Sequence, residues 1–152
     1  MANHLRRQIR DAAKAALTGL TTTGSRVYTG RSRPLGRAHQ PSLLIYTPQE
    51  TSRRAVNGHP PILERTVQLM IEGRVSNANE PDDLLDDIAK EVEAAMWTNR
   101  ALGGLVFNTR LGATDSVTEA EGERQIGGIR LTYEVTFQTP EGAADQNGAI
   151  AD

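Results

Sequence analysis

Residues 127–140 read "GGIRLTYEVTFQTP". After a Gly pair suited to a tight turn, Ile129, Leu131, Tyr133, Val135 and Phe137 alternate with Arg130, Thr132, Glu134, Thr136 and Gln138. Side chains of a strand point to its two faces in turn, so this period of two predicts a half-buried strand over 128–139. Residues 65–75, "RTVQLMIEGRV", repeat the pattern, with Val67, Leu69, Ile71 and Val75 on one side and Gln68, Met70, Glu72 and Arg74 on the other. Two such strands favour an antiparallel sheet whose second side is wet or covered by a polar partner.

Two other segments carry the helical period. In residues 3–20, "NHLRRQIRDAAKAALTGL", Leu5, Ile9, Ala13, Ala16, Leu17 and Leu20 share one side, while Arg7, Arg10 and Lys14 share the opposite one. This predicts an amphipathic helix with a basic face, capped by Asn3 and ended by Gly19 and Gly24. In residues 79–99, "NEPDDLLDDIAKEVEAAMWTN", Asn79 or Glu80 serves as cap, Pro81 occupies the first turn, and Asp82 and Asp83 stand where the helix dipole favours acids. Leu84, Leu85, Ile88, Val92, Ala95 and Met96 form its apolar stripe, leaving Asp82, Asp83, Asp86, Asp87, Glu91 and Glu93 outside.

Between these elements lies "PLGRAHQPSLLIYTPQET" (34–51), where Leu43–Tyr46 predicts a short buried strand over 42–47, closed off by Thr47-Pro48. A strand near 26–29, a long loop over 48–63 and a strand over 104–113, irregular at Gly112, complete the order. The tail from Glu141, rich in Gly, Ala, Asp and Asn, predicts disorder over 141–152. The expected class is α+β, a single domain over 1–140 with four to five mostly antiparallel strands and two main helices. No internal repeat is present.

A chain of 152 residues buries about 70% of its unfolded surface on folding. The sequence holds no Cys, which removes disulfides and thiolate metal sites. Its longest apolar runs are too short to cross a bilayer, and residues 1–10 lack the apolar core of a secretory signal, so the expectation is a soluble cytoplasmic protein with no membrane partner.

Net charge is −2, unevenly spread: residues 1–40 carry eight basic groups against Asp11 alone, a balance of +7, whereas residues 41–100 carry −4 and residues 101–152 carry −5. Only Lys14 and Lys90 among the 17 basic residues are lysines. That bias suits forked pairing with carboxylates or phosphates, and an Arg-preferring genome would produce it equally.

His4, His39 and His59 are far apart and show no metal-ligand spacing. Asp82, Asp83, Asp86 and Asp87 lack the loop and the Gly of a calcium site and read as a solvated helix face. Neither a nucleophile elbow nor a phosphate loop nor a dinucleotide fingerprint is present, so no catalysis and no cofactor are expected. Nucleic-acid binding is the rival reading, since Arg6, Arg7, Arg10, Lys14, Arg26, Arg31, Arg33 and Arg37 could neutralise phosphates. Against it stand an acidic remainder and only six aromatic residues, of which Tyr28 alone interleaves with those arginines.

Taken in order, the amphipathic first helix, the Arg/Pro segment before "LLIYTPQE", the "ERTVQLMIEGRV" strand, the acidic "DDLLDDIAKEVEAAM" helix and the closing "GIRLTYEVTFQTPEG" strand resemble the tail terminator (minor tail, tail-completion) proteins of long-tailed bacteriophages. The resemblance runs to about residue 141 and rests on the order of patterned segments. It implies an α+β subunit of a hexameric ring at the head-proximal end of the virion tail, assembled in the host cytoplasm. Such a ring stops growth of the tail tube, meets the head–tail connector, and lets DNA through without sequence-specific binding. A head–tail connector or neck protein is the alternative of the same class.

Head-to-tail rings need two different patches per subunit. The candidate interface to the next subunit or the tube comprises Arg26, Arg31, Arg33 and Arg37, with Gln49, Glu50, Arg53 and Arg54 from the 48–63 loop; solvated loops are the plain alternative. Asp82, Asp83, Asp86 and Asp87 are expected to line the lumen or to receive the neighbour's arginines.

Overall fold

The computed structural model describes residues 2–30, 41–76, 81–121 and 124–148. Helix α1 (Leu5–Leu17) is followed by strands β1 (Val27–Thr29), β2 (Ser42–Val56) and β3 (Ile62–Ser76). Helix α2 (Pro81–Thr98), a 3-10 turn at Leu102–Gly104, and strands β4 (Asn108–Glu121) and β5 (Arg124–Pro140) complete the order. The strands form one sheet in the order β1-β2-β3-β5-β4. β1 runs parallel to β2 and all other neighbours are antiparallel, so the α+β architecture holds with a mixed sheet.

The alternation of β3 and β5 places them at the centre. Val67 lies opposite Val135, Leu69 opposite Tyr133 and Ile71 opposite Leu131, and all six are buried on the side the helices cover. α1 adds Leu5, Ile9, Ala13 and Leu17 to this core, and α2 adds Leu85, Ile88, Ala89, Val92 and Met96. α2 approaches the sheet closely at Gly73, where a Cβ would stand 2.9 Å from Ile88 Cγ2 and 3.2 Å from Ile129 Cγ2. Only a residue without a side chain lets the helix settle there.

Thr47-Pro48 does not end β2: the register with β3 shifts between Tyr46 and Gln49, and the strand continues to Val56. A proline has no N–H to give the ladder, so a bulge accommodates it where a regular pair cannot. The long loop over 48–63 is therefore a β2–β3 hairpin with a turn between Val56 and Ile62. The strand after α2 starts at Asn108, not 104, because the Leu102–Gly104 turn comes first, and it runs to Glu121. The α1 cap is His4, whose Nδ1 accepts from the Arg6 N–H at 3.0 Å, rather than Asn3; the proposed cap of α2 at Asn79 or Glu80 lies outside the described residues.

Residues 141–148, read from composition as disordered, form turns pinned to the body. Glu141 N–H donates to the Pro61 carbonyl, Gly148 N–H to that of Gln138, and Ala144 accepts from Leu5 N–H, each at 2.8 Å.

The packing sets two expected stabilities, both read by thermal or denaturant unfolding. Phe137→Ala, at 1% exposure, should cost about 3–5 kcal/mol. Gly73→Ala should cost about 1–3 kcal/mol by forcing Ile88 aside.

Candidate functional site

α1 presents its cations toward β2. Arg10 Nη1 donates to Thr47 Oγ1 at 2.6 Å, and Arg6 Nη1 to Glu50 Oε1 at 3.2 Å, both partners lying at or just after the bulge. Lys14, one turn beyond Arg10, continues that side, and Arg7 stands beside it; both are exposed. Lys14 makes no ion pair among the described residues. The basic stripe thus leans over the β1–β2 edge of the sheet.

The bulge decides what Glu50 does. By inserting one residue it turns Glu50 to the helix-covered side, opposite Val67. There Glu50 receives Arg65 Nη1 at 3.0 Å as well as Arg6, while Arg65 Nε donates to Thr139 Oγ1 at 2.8 Å. Glu50 and Arg65 are each only 12% exposed. Burial, with Arg6 next, pushes the His4 pKa below its ordinary 6.5, which keeps the imidazole neutral and able to accept at the cap.

The predicted interface residues therefore separate. Glu50 is spent inside the subunit. Arg26 is too, since its Nε donates to the Pro41 carbonyl at 2.7 Å and its Nη2 to that of Thr22 at 3.1 Å. Gln49, Arg53 and Arg54 are exposed on the hairpin, where Arg53 pairs with Glu64 at 2.8 Å and Arg54 with Glu141 at 3.1 Å. Arg31, Arg33 and Arg37 lie outside the described residues.

α2 carries acids on the other side of the helix layer. Its flank toward α1 holds Leu84, Glu91 and Ala95; Glu91 is not a free outer acid, because it accepts from Thr22 N–H at 2.8 Å and from the Thr22 hydroxyl. Helical spacing puts Asp82, Asp86, Glu93 and Trp97 on the opposite flank, and Asp83 and Asp87 pointing away from the sheet. All six are exposed.

Sequence reasoning missed a cleft on that acidic flank. A hollow of about 390 Å³ opens between α2 and β4, floored by Met96, Leu111 and Tyr133 and edged by Glu93, Trp97 and Arg110. Trp97 is 70% exposed and Phe107, just before β4, 54%. The cleft exists because α2 packs on β3 and β5 and leaves the helix-side face of the outermost strand, with Leu111, uncovered. Arg100 stacks on Trp97, 4.8 Å from the ring centroid. Burial, with Glu93 next, pushes the Tyr133 hydroxyl to about 12, so it remains a neutral donor. The one available signal was Trp97 itself, a quarter turn off the apolar stripe, too far round to reach the core.

Among the described residues, no group of three or more His, Asp or Glu side chains could hold a metal ion, and no helix is long and apolar enough to cross a membrane.

No protein-family model and no curated protein matches the chain. Among solved structures it is similar to a chain from the virion of a native gene transfer agent particle, with 15% identity, a TM-score of 0.45, and 88% of this chain and 92% of that chain covered. A likeness of that degree carries no function from one protein to the other.

Glu50→Ala leaves Arg65 without its carboxylate in a nearly enclosed position and should cost about 3 kcal/mol. Chemical denaturation checks this, and a loss within error of an exposed-site substitution such as Asp87→Asn would show that the pair does not hold the hairpin to α1.

Proposed function

We propose that the protein is a structural component of a phage-like virion, a tail terminator that assembles head to tail into a ring on the tail tube. The ring stops tube polymerisation and offers its free side to the head–tail connector, without catalysis or cofactor. The sequence resemblance supplies this class.

One observation of the fold supports it above the others: the helix layer is polarised from edge to edge. Arg6 and Arg10 lean over the β1–β2 edge with Lys14 on the same side of α1, while Glu93 stands beside β4 and helical spacing puts Asp82 and Asp86 on the same flank of α2. A two-fold dimer sets like patches together, whereas a rotation that repeats head to tail sets each basic edge against an acidic one. A basic edge by itself also suits nucleic acid, but a groove that tracks phosphates does not need an acidic edge of the same height. In this reading Asp82 and Asp86 meet the neighbour. Asp83 and Asp87 are left to line a lumen, where they repel phosphates and let the duplex slide.

Mixed with the tube protein of the same particle, the chain should form rings at tube ends in negative-stain images and hold tubes to a narrow length distribution. Tubes that lengthen unchecked with no density at their ends would refute the reading. Because the screening length falls from about 10 Å at about 0.1 M salt to about 3 Å at about 1 M, ring formation should weaken across that range, as sedimentation velocity would show.

A further inference from the structure

The α2–β4 cleft brings together groups suited to a long cationic side chain. Glu93 supplies a carboxylate and makes no ion pair among the described residues. Trp97 offers an exposed indole, Tyr133 a hydroxyl and a ring, and Met96 and Leu111 an apolar floor for methylenes. A lysine or arginine entering it buries its stem on that floor and leaves its charge beside Glu93 and the aromatic rings. Neither cation beside the cleft pairs with Glu93: Arg110 pairs with Glu134, and Arg100 lies on one face of the indole.

The chain itself offers such a side chain on its opposite edge. Lys14 is exposed and without an ion pair among the described residues, whereas Arg6 and Arg10 are tied to Glu50 and Thr47. Its height on the molecule also fits. Within one subunit Gly19–Thr21, just past the end of α1, line a shallow groove with Glu91, Ala94, Ala95 and Thr98 of α2. The last turns of α1 are therefore level with the second half of α2, where Glu93 and Trp97 lie. A neighbour displaced sideways along the sheet brings its Lys14 to the mouth of the cleft without a large shift along the helix axes.

We infer that the α2–β4 cleft is the acceptor of the subunit contact, and that its occupant is Lys14 on α1 of a second copy of this chain, seated against Glu93, Trp97 and Tyr133. The inference rests on the head-to-tail reading above and narrows it to one pair of residues.

A charge exchange tests it on the full chain. Lys14→Glu and Glu93→Lys lie on exposed helical positions, so each variant should melt as the wild type does. Each should raise the protein concentration needed for assembly by about ten-fold or more, and the combined variant should return it to within about three-fold of wild type. Trp97→Ala should weaken assembly in the same direction. Single variants that assemble like the wild type, or a combined variant no better than either single one, would overturn the pairing while leaving a ring held by other contacts. A wild-type chain that never self-associates would overturn both the pairing and the head-to-tail reading.

Discussion

The register between β3 and β5 is the constraint on which the rest of the molecule depends. Val67 with Val135, Leu69 with Tyr133, and Ile71 with Leu131 put a continuous apolar surface on one side of two strands that pair without a register shift from Ile62↔Pro140 to Ser76↔Ile126. A slip of one residue would turn Arg130, Thr132 and Glu134 into the core, so the register has no near competitor. Both helices then have a single surface to cover. Once α2 is seated over Gly73 and Gly127, its stripe of buried residues fixes which acids face β4 and which face away.

Among the described residues, two helices cover only part of the five-stranded sheet. α1 packs on β1 and β2, and α2 on β3 and β5, while Leu111, Thr114 and Ser116 of β4 stay exposed on the helix side. That shortfall creates the cleft, exposes Trp97 and Leu111, and leaves an acidic flank free beside it. On the opposite edge the bulge at Thr47-Pro48 turns Glu50 inward to hold Arg6 and Arg65. The basic stripe of α1 is thereby fastened over the β1–β2 edge. The two edges differ in sign because of how the sheet is covered, not because of any one loop.

Much of this was legible in the sequence wherever one face is buried and the other wet. The helices, β3 and β5 show their periods because apolar side chains fill the covered side and polar ones the other, even where Glu72 is itself buried on that second side. The second half of β2 does not: residues 51–56 extend past the helices, both faces are largely solvated, and no apolar rhythm marks a strand. The bounds of β4 differ for a related reason: Arg110–Ser116 are exposed, so no buried set alternates along that part of the edge strand. The charge asymmetry could be counted from the sequence, but not its geometry. Glu50 and Arg26 read as surface groups and are used internally, whereas Glu93 reads only as one of several outer acids and gains its setting, with Trp97, from the cleft beside β4.

If, as proposed, two complementary edges pair head to tail, copies of the subunit close into a ring. Native mass spectrometry of the free protein across a concentration series at low salt tests it most directly. The expected result is a single closed stoichiometry, six by the family resemblance, appearing cooperatively from monomer with no dominant dimer. A population that stops at a dimer, or stays monomeric throughout, would contradict it.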